Sequence, residues 1–360
     1  MSAQYDQYYH RLLYDQLRPY VEDAPLLSGH LTGPDGLGNN ADIFHLHSPE
    51  DLPLGADVNE HQRFAESLDR SGIRLVWTQH NFHPHDKSLR AAYQPIYDEW
   101  ARRADTIIHH SQWGMRQCQT RLPFRTDAKH FLVPHGHFGP LMPELPELDP
   151  EDCRVELGLE PGKLCLGIIG HPRAEKRTMM AMDAFVAADR QDMQLLVLSL
   201  GDHDCIPTHP LIVALRHKAL PRCQYNRRLR SIDVALMPFE SGMLTTGSVA
   251  DVIALGIPAA ISVWPFLSEM LGDAGIVYGD TQESLTSCIA DLAPERILSA
   301  RTATRALRSN FDYSVVASLA LTALQATMNR PPSSEADHGS SVRPCSSPSL
   351  RLEQPPPVER

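Results

Sequence analysis

At 360 residues the chain is longer than one hydrophobic core usually supports, which predicts two domains. Its 42% hydrophobic and 21% charged residues are those of an ordinary globular protein, and a formal net charge of -11 argues against nucleic acid or an anionic membrane as main partner. Seven cysteines (118, 153, 165, 205, 223, 288 and 345) form no C-x-x-C pair, which argues against a disulfide framework or zinc ribbon and fits a reducing cytoplasm.

The N-terminus has no basic start followed by an apolar core, so no signal peptide is expected. Tyr9, Leu12, Leu13, Leu17 and Tyr20 lie at helical spacing within Tyr5 to Val21. Four glycines between Ser28 and Asn40 read as a mobile loop. Beyond it, short apolar strands alternate with helical intervals, and four of the strands run out into histidines. DIFHLHSPE carries His45 and His47; VWTQHNFHPHD carries His80, His83 and His85, then Asp86; ADTIIHHSQ carries His109 and His110; FLVPHG carries His135, with His137 just beyond. Strand–helix alternation predicts a parallel sheet covered on both faces, and ligands of such sheets bind at the carboxyl ends of the strands. The histidines should therefore line one edge.

Pro140 to Pro150 holds four prolines in eleven residues and reads as an interdomain linker. A second α/β unit follows, with strands expected at Leu164–Gly170, Gln194–Leu200, Val234–Pro238, Ala259–Val263 and Ile276–Tyr278. Helices are expected at Lys176–Asp189, His209–Ala219, Gln282–Leu292, Pro294–Asn310 and Tyr313–Met328. The most apolar long run, Val252 to Leu267, is interrupted by Gly256, Pro258 and Pro265 and is too short to span a bilayer. From Arg330 onward the chain is rich in Pro, Ser and Arg and reads as a disordered tail.

Two turns of the second unit suit an anion. In MPFESGMLTTGSVADVIALGIP, Thr245, Thr246, Gly247 and Ser248 open a helix whose free N–H groups and dipole face any ligand there. A Thr/Ser helix cap without a ligand is the plain alternative. In GIIGHPRAEKR, Arg173, Lys176 and Arg177 follow a strand ending near Gly170. The two turns leave the same sheet edge, so cations and helix N-terminus can converge on one diphosphate.

These motifs, with WPFLSEML after the second, resemble the carboxyl half of glycosyltransferases of the GT-B fold, the retaining family 4 (group 1) and its relatives, and the subgroup with an L-T-S-G-S type phosphate turn. The histidine-bearing strand ends are similar to those of the same family, so the resemblance spans roughly residues 5 to 328. It implies two Rossmann-like domains facing a cleft: an acceptor domain over 1–140, a linker over 141–150, a nucleotide-sugar domain over 151–310, and a helix over 311–329 crossing back, followed by the 330–360 tail.

By the same resemblance, Lys176 grips the donor diphosphate, with Arg173 replacing the family's usual arginine, whose position holds His171. Thr245, Thr246, Gly247 and Ser248 complete the diphosphate site. Asp251 falls at the ribose-binding acidic position, Met243 at its upstream glutamate, for which Glu240 is a substitute, and Glu269 at a further glutamate near the donor. His80 falls at the sugar-contacting histidine and, with Asp86, is the candidate catalytic pair; His47, His83, His85, His110 and His135 lie on the acceptor side.

The implied reaction moves a sugar from a nucleoside diphosphate to an acceptor hydroxyl, with negative charge on the leaving group stabilised by basic residues and backbone amides. No resident cofactor or metal is expected. A metal reading of His80-x-x-His83-x-His85-Asp86 is weakened by Pro84, which breaks any shared helical face. The expected partners are a nucleotide sugar and a small-molecule or saccharide acceptor, with neither nucleic acid nor a membrane span. An epimerase acting on the nucleotide sugar alone, and a binding module that no longer transfers, are the two rival readings.

Overall fold

The computed structural model describes residues 3–21, 41–201, 205–216, 220–240 and 242–329. The glycine-rich loop expected over 28–40 and the tail expected over 330–360 lie outside them.

The amino-terminal half comprises α1 (Ala3–Leu17), β1 (Ile43–Leu46), α2 (Val58–Arg70), β2 (Arg74–Gln79), α3 (Arg90–Arg103), β3 (Thr106–His109), α4 (Gln112–Arg121) and β4 (Lys129–Leu132). The four strands pair in parallel in the order β1-β2-β3-β4. Local chemistry sets the helix starts: Asp57 accepts from the Asn59 N–H to open α2, and Ser111 accepts from the Gly114 N–H to open α4. Trp77 and Trp100 fill the core beneath this sheet, and the indole of Trp100 donates to buried His61 Nδ1 at 3.1 Å.

The second half comprises α5 (Pro150–Glu156), β5 (Leu164–Ile168), α6 (Thr178–Ala188), β6 (Met193–Leu200), β7 (Ile212–Arg216), α7 (Arg222–Arg230), β8 (Val234–Met237), α8 (Gly247–Leu255), β9 (Ala259–Ser262), α9 (Pro265–Leu271), β10 (Gly275–Tyr278), α10 (Gln282–Ala290), α11 (Pro294–Leu307) and α12 (Tyr313–Met328). Its sheet is parallel throughout, in the order β10-β9-β8-β5-β6-β7. Strands β5, β6, β8 and β9 read as near-continuous apolar runs, interrupted only by Gln194 and Ser199 in β6 and ended by Ser262 in β9, because both sheet faces are covered.

One expected element differs. The helix expected over 209–219 is instead an edge strand, β7, paired with β6 through Leu195–Ile212, Leu196–Val213 and Val197–Ala214. The β-branched pair Ile212 and Val213 suits an extended chain, and the eight-residue β6 offers a free edge to satisfy. The proline-rich stretch is folded, with 3-10 turns at Gly139–Leu141 and Leu145–Glu147, and Asn226 Nδ2 of α7 donates to Leu141 O and Glu144 Oε1.

The two halves share a core. Leu12, Leu13 and Leu17 of α1 pack with Val316, Ala317, Ala320 and Leu324 of α12, and the same cluster continues into Val76, Ile108, Val249 and Ile253. Each fully buried Leu or Val there contributes about 1.5–3 kcal/mol. Helix α12 returns to the first sheet, where Thr327 Oγ1 donates to Thr106 Oγ1 at 2.7 Å and Lys129 Nζ donates to Ala326 O at 2.7 Å. Among the described residues no helix is long and apolar enough to cross a membrane. The six cysteines described are free thiols.

Candidate functional site

In the six-stranded sheet, successive strands step outward from β5 in one direction to β6 and β7, and in the other to β8, β9 and β10. The crevice between the carboxyl ends of β5 and β8 is therefore the topological switch point, where ligands of open α/β sheets bind. The turns after β5 and β8 are the two anion-type turns of the sequence.

Gly170 leaves β5 at φ +97, and Lys176 closes the 3-10 turn Ala174–Lys176 that follows. The expected helix starts later than its sequence suggests, at Thr178, so Lys176 is not in its first turn. Lys176 folds back instead. Its Nζ donates to Ser248 Oγ at 2.6 Å and to Ile169 O at 3.2 Å, and lies 4.6 Å from the centre of the Phe239 ring. Burial first, and the nearby Arg173 charge second, lower its pKa to about 7. Thr246 caps α8, accepting from the Ser248 N–H; Gly247 is exposed; and the Thr245 hydroxyl is buried with no hydrogen-bond partner. A cation, a helix N-terminus of nine residues and an orphaned hydroxyl thus meet within one crevice.

The acidic residues are placed differently from one another. Asp251 is buried and bonded to Arg222 Nη2 at 2.6 Å. Burial raises its carboxyl pKa while Arg222 and Lys176 pull against that shift. Glu240 is half-exposed, 3.5 Å from Arg177. Glu269 reaches the other half of the molecule, accepting from the Trp113 N–H at 2.8 Å in the first turn of α4. Arg173 also crosses between halves, its Nη1 lying 2.8 Å from His85 Nε2.

The sheet order brings the carboxyl ends of β1 to β4 side by side, and a hydrogen-bonded chain runs along that edge. Thr78 Oγ1 meets His45 Nε2 (2.8 Å), His45 Nδ1 meets Tyr14 Oη (2.7 Å), and Tyr14 Oη meets His47 Nε2 (3.2 Å). His47 Nδ1 then meets His80 Nε2 (3.1 Å), His80 Nδ1 meets His110 Nε2 (3.1 Å), and His110 Nδ1 meets Val133 O (2.9 Å). Burial lowers every one of these imidazoles, His45 and His110 to about 3 and His47 and His80 well below the ordinary value, so they are neutral at pH 7. Tyr9 of α1 packs over the edge, its ring edge-to-face with those of His47, His80 and His110 and tilted against that of His135, all within 6.0 Å.

Of the residues singled out in the sequence, His47, His80, His110 and His135 are brought together, as are Lys176 and Ser248. The His83, His85 and Asp86 side chains are not part of the histidine chain. His83 Nδ1 bonds to Pro84 O, His85 turns to Arg173, and Asp86 accepts from the N–H and Oγ of Ser88. Tyr9, His10, Tyr14 and Arg222 are site residues that sequence reasoning passed over; Tyr9 counted only as an apolar helix position. A cleft of about 520 Å³ opens between the halves, lined by His110, Ser111, Glu269, Met270 and Phe311.

No protein-family model matches the sequence, and no curated protein matches it. Solved structures do resemble the fold. Sucrose-phosphate synthase from Thermosynechococcus elongatus superposes with a TM-score of 0.60 at 13% identity, over 79% of this chain and 73% of that one. Anabaena Alr3699/HepE in complex with UDP-glucose gives 0.57 at 14% identity over 79% of each chain. An α,α-trehalose-phosphate synthase (UDP-forming) from Burkholderia xenovorans, in complex with glucose-6-phosphate, gives 0.59 at 11% identity over 89% of this chain and 77% of that one. At this identity the likeness establishes the fold, the GT-B arrangement of two parallel-sheet α/β domains.

Proposed function

We propose that the chain is a metal-independent glycosyltransferase, moving a sugar from a nucleoside-diphosphate sugar to an acceptor hydroxyl. The observation that carries this reading is the meeting of Lys176 with Ser248 at the switch point of the six-stranded sheet. Of the resembling structures, HepE was solved with UDP and with UDP-glucose, and the Burkholderia xenovorans trehalose-phosphate synthase with glucose-6-phosphate, which makes a uridine diphosphate donor the first to test.

As the glycosidic bond to the diphosphate breaks, the sugar carbon gains oxocarbenium character and the diphosphate gains negative charge. Lys176 meets that charge from a buried position, where it is worth more than in water, and the N-terminus of α8 meets it at exposed Gly247. Arg173 adds a second cation on leaving His85. Thr245 supplies a hydroxyl donor, and Asp251 with Glu240 and Glu269 border the donor. The acceptor approaches from the histidine edge through the cleft beside His110, and His80 faces the transferred sugar. We assign 1–140 and 151–310 to acceptor and donor domains, joined by 141–150, and place the reaction in the cytoplasm on a small-molecule or saccharide acceptor.

The test is calorimetric titration of UDP into wild type and a Lys176→Ala/Arg173→Ala double variant. Binding that disappears in the variant supports the site; unchanged affinity overturns it. A binding module that does not transfer is the second reading, favoured by the closed Asp251–Arg222 pair. UDP release with a panel of acceptors separates the two, and incubation with the nucleotide sugar alone reveals epimerisation.

A further inference from the structure

We propose that His10, His47 and His80 form a binding site for a divalent transition-metal ion of the zinc class. One ring nitrogen from each lies within 4.8 Å of the others. His47 Nδ1 and His80 Nε2 stand 3.1 Å apart, close to the roughly 3.4 Å between two nitrogens each about 2.1 Å from a tetrahedral ion. The His10 ring lies 4.0 Å from the His47 ring and forms no hydrogen bond among the described residues. Three imidazoles with no carboxylate form a donor set suited to zinc, cobalt, nickel or copper rather than magnesium or calcium.

The hydrogen bonds around the cluster fix which nitrogens are available. Val133 O only accepts, so His110 carries its proton on Nδ1 and accepts through Nε2. His80 must then donate through Nδ1, which leaves a lone pair on its Nε2, facing the cluster. On the other side, Tyr14 and Thr78 are hydroxyls that can donate or accept. Without an ion, His47 Nδ1–H donates to His80 Nε2. With one, the His47 proton sits on Nε2 and donates to Tyr14 Oη, Tyr14 donates to His45 Nδ1, and His45 Nε2–H donates to Thr78. Every group stays neutral and every bond but His47–His80 survives, while two lone pairs converge. Each of these two ligands also keeps the outer hydrogen-bond partner that metal-binding imidazoles almost always have, His80 with His110 and His47 with Tyr14. Because His10 belongs to α1 while His47 and His80 follow β1 and β2, a bound ion pins α1 to the sheet edge.

The experiment is titration of Co²⁺ into chelator-treated full-length protein, followed by ligand-field absorption and by X-ray absorption of the loaded protein. Expected are one Co²⁺ per chain with the intense bands of four-coordinate cobalt, a coordination shell containing three imidazoles, and loss of that signal in His10→Ala but not in His83→Ala. Zn²⁺ should raise the melting temperature of wild type and not of His10→Ala. No ligand-field band, fewer than three imidazoles, or equal binding by His10→Ala would overturn the proposal. None of these readouts involves a nucleotide, so donor binding at Lys176 is tested separately, whereas a bound ion would occupy the His80 Nε2 that could otherwise face the sugar.

Discussion

Lys176 Nζ donates to Ser248 Oγ over 2.6 Å, and Gly170 is the residue that lets the two meet. A Cβ at Gly170 would lie 2.2 Å from Nζ and 2.5 Å from Oγ, and its φ of +97 disfavours any side chain. Gly170→Ala is therefore expected to cost about 1–3 kcal/mol of stability. It should also displace the ammonium from the crevice, weakening UDP binding beyond what the loss of stability explains. Denaturant unfolding and calorimetric titration on the same preparation check both; intact affinity would show that the nucleotide does not use this crevice.

The Lys176 ammonium is linked to pH in a defined direction. Its folded pKa of about 7 lies below the ordinary lysine value of 10.5, so between these values the unfolded chain holds the extra proton. Stability should rise as pH increases from about 7 toward 10.5, and below 7 the folded state carries the full cost of the buried charge. A diphosphate beside Lys176 favours the charged form and raises that pKa. Binding at about pH 8.5 should thus take up a proton, up to one per site. Titrations in two buffers of different ionisation enthalpy would show it, and identical heats would remove Lys176 from contact with the ligand.

The sequence made the strands legible wherever both sheet faces are covered, because such strands are near-continuous apolar runs closed by polar residues. That is why the histidine ends and the Gly170 and Thr245 turns could be located. Arg173 and Lys176 could be paired by spacing but not by direction: one reaches across to His85 and the other down to Ser248. Arg222 sits in RCQYNRRLR, a stretch to which the sequence assigns no element or motif, and only the fold shows it against Asp251. Tyr14 and His45 are 31 positions apart, so periodicity reveals the apolar face of α1 but not the histidines it meets. Strand β7 was illegible because a short apolar run followed by Arg and Lys fits either period.

Glu269 holds the two halves together at the mouth of the cleft. Its carboxylate accepts from the Trp113 N–H and lies 3.6 Å from Arg116, so it is an anion at the N-terminus of α4 supplied by the opposite half. Glu269→Gln keeps the acceptor oxygen but removes the charge and should cost about 0.3–1 kcal/mol, while Glu269→Ala should cost about 0.5–2. Hydrogen exchange at the Trp113 amide is the direct measurement. Faster exchange in the alanine variant, with intermediate behaviour for glutamine, is expected; equal protection in all three would mean that the Trp113 amide is held by another group.

Asp251 and Arg222 form a buried pair, with side chains 4% and 11% exposed. Removing one partner of such a pair leaves an uncompensated charge, whereas replacing both with apolar residues of similar size is often neutral. Arg222→Met alone should therefore cost about 3–5 kcal/mol, most of it the penalty of leaving Asp251 with only the more distant Lys176. Arg222→Met/Asp251→Leu should recover much of that loss in urea unfolding. The same double variant also tests the site: if Asp251 holds the ribose of the donor, UDP affinity stays low after stability returns. If affinity recovers with stability, the pair is a strut that shapes the crevice, and the ribose is held elsewhere.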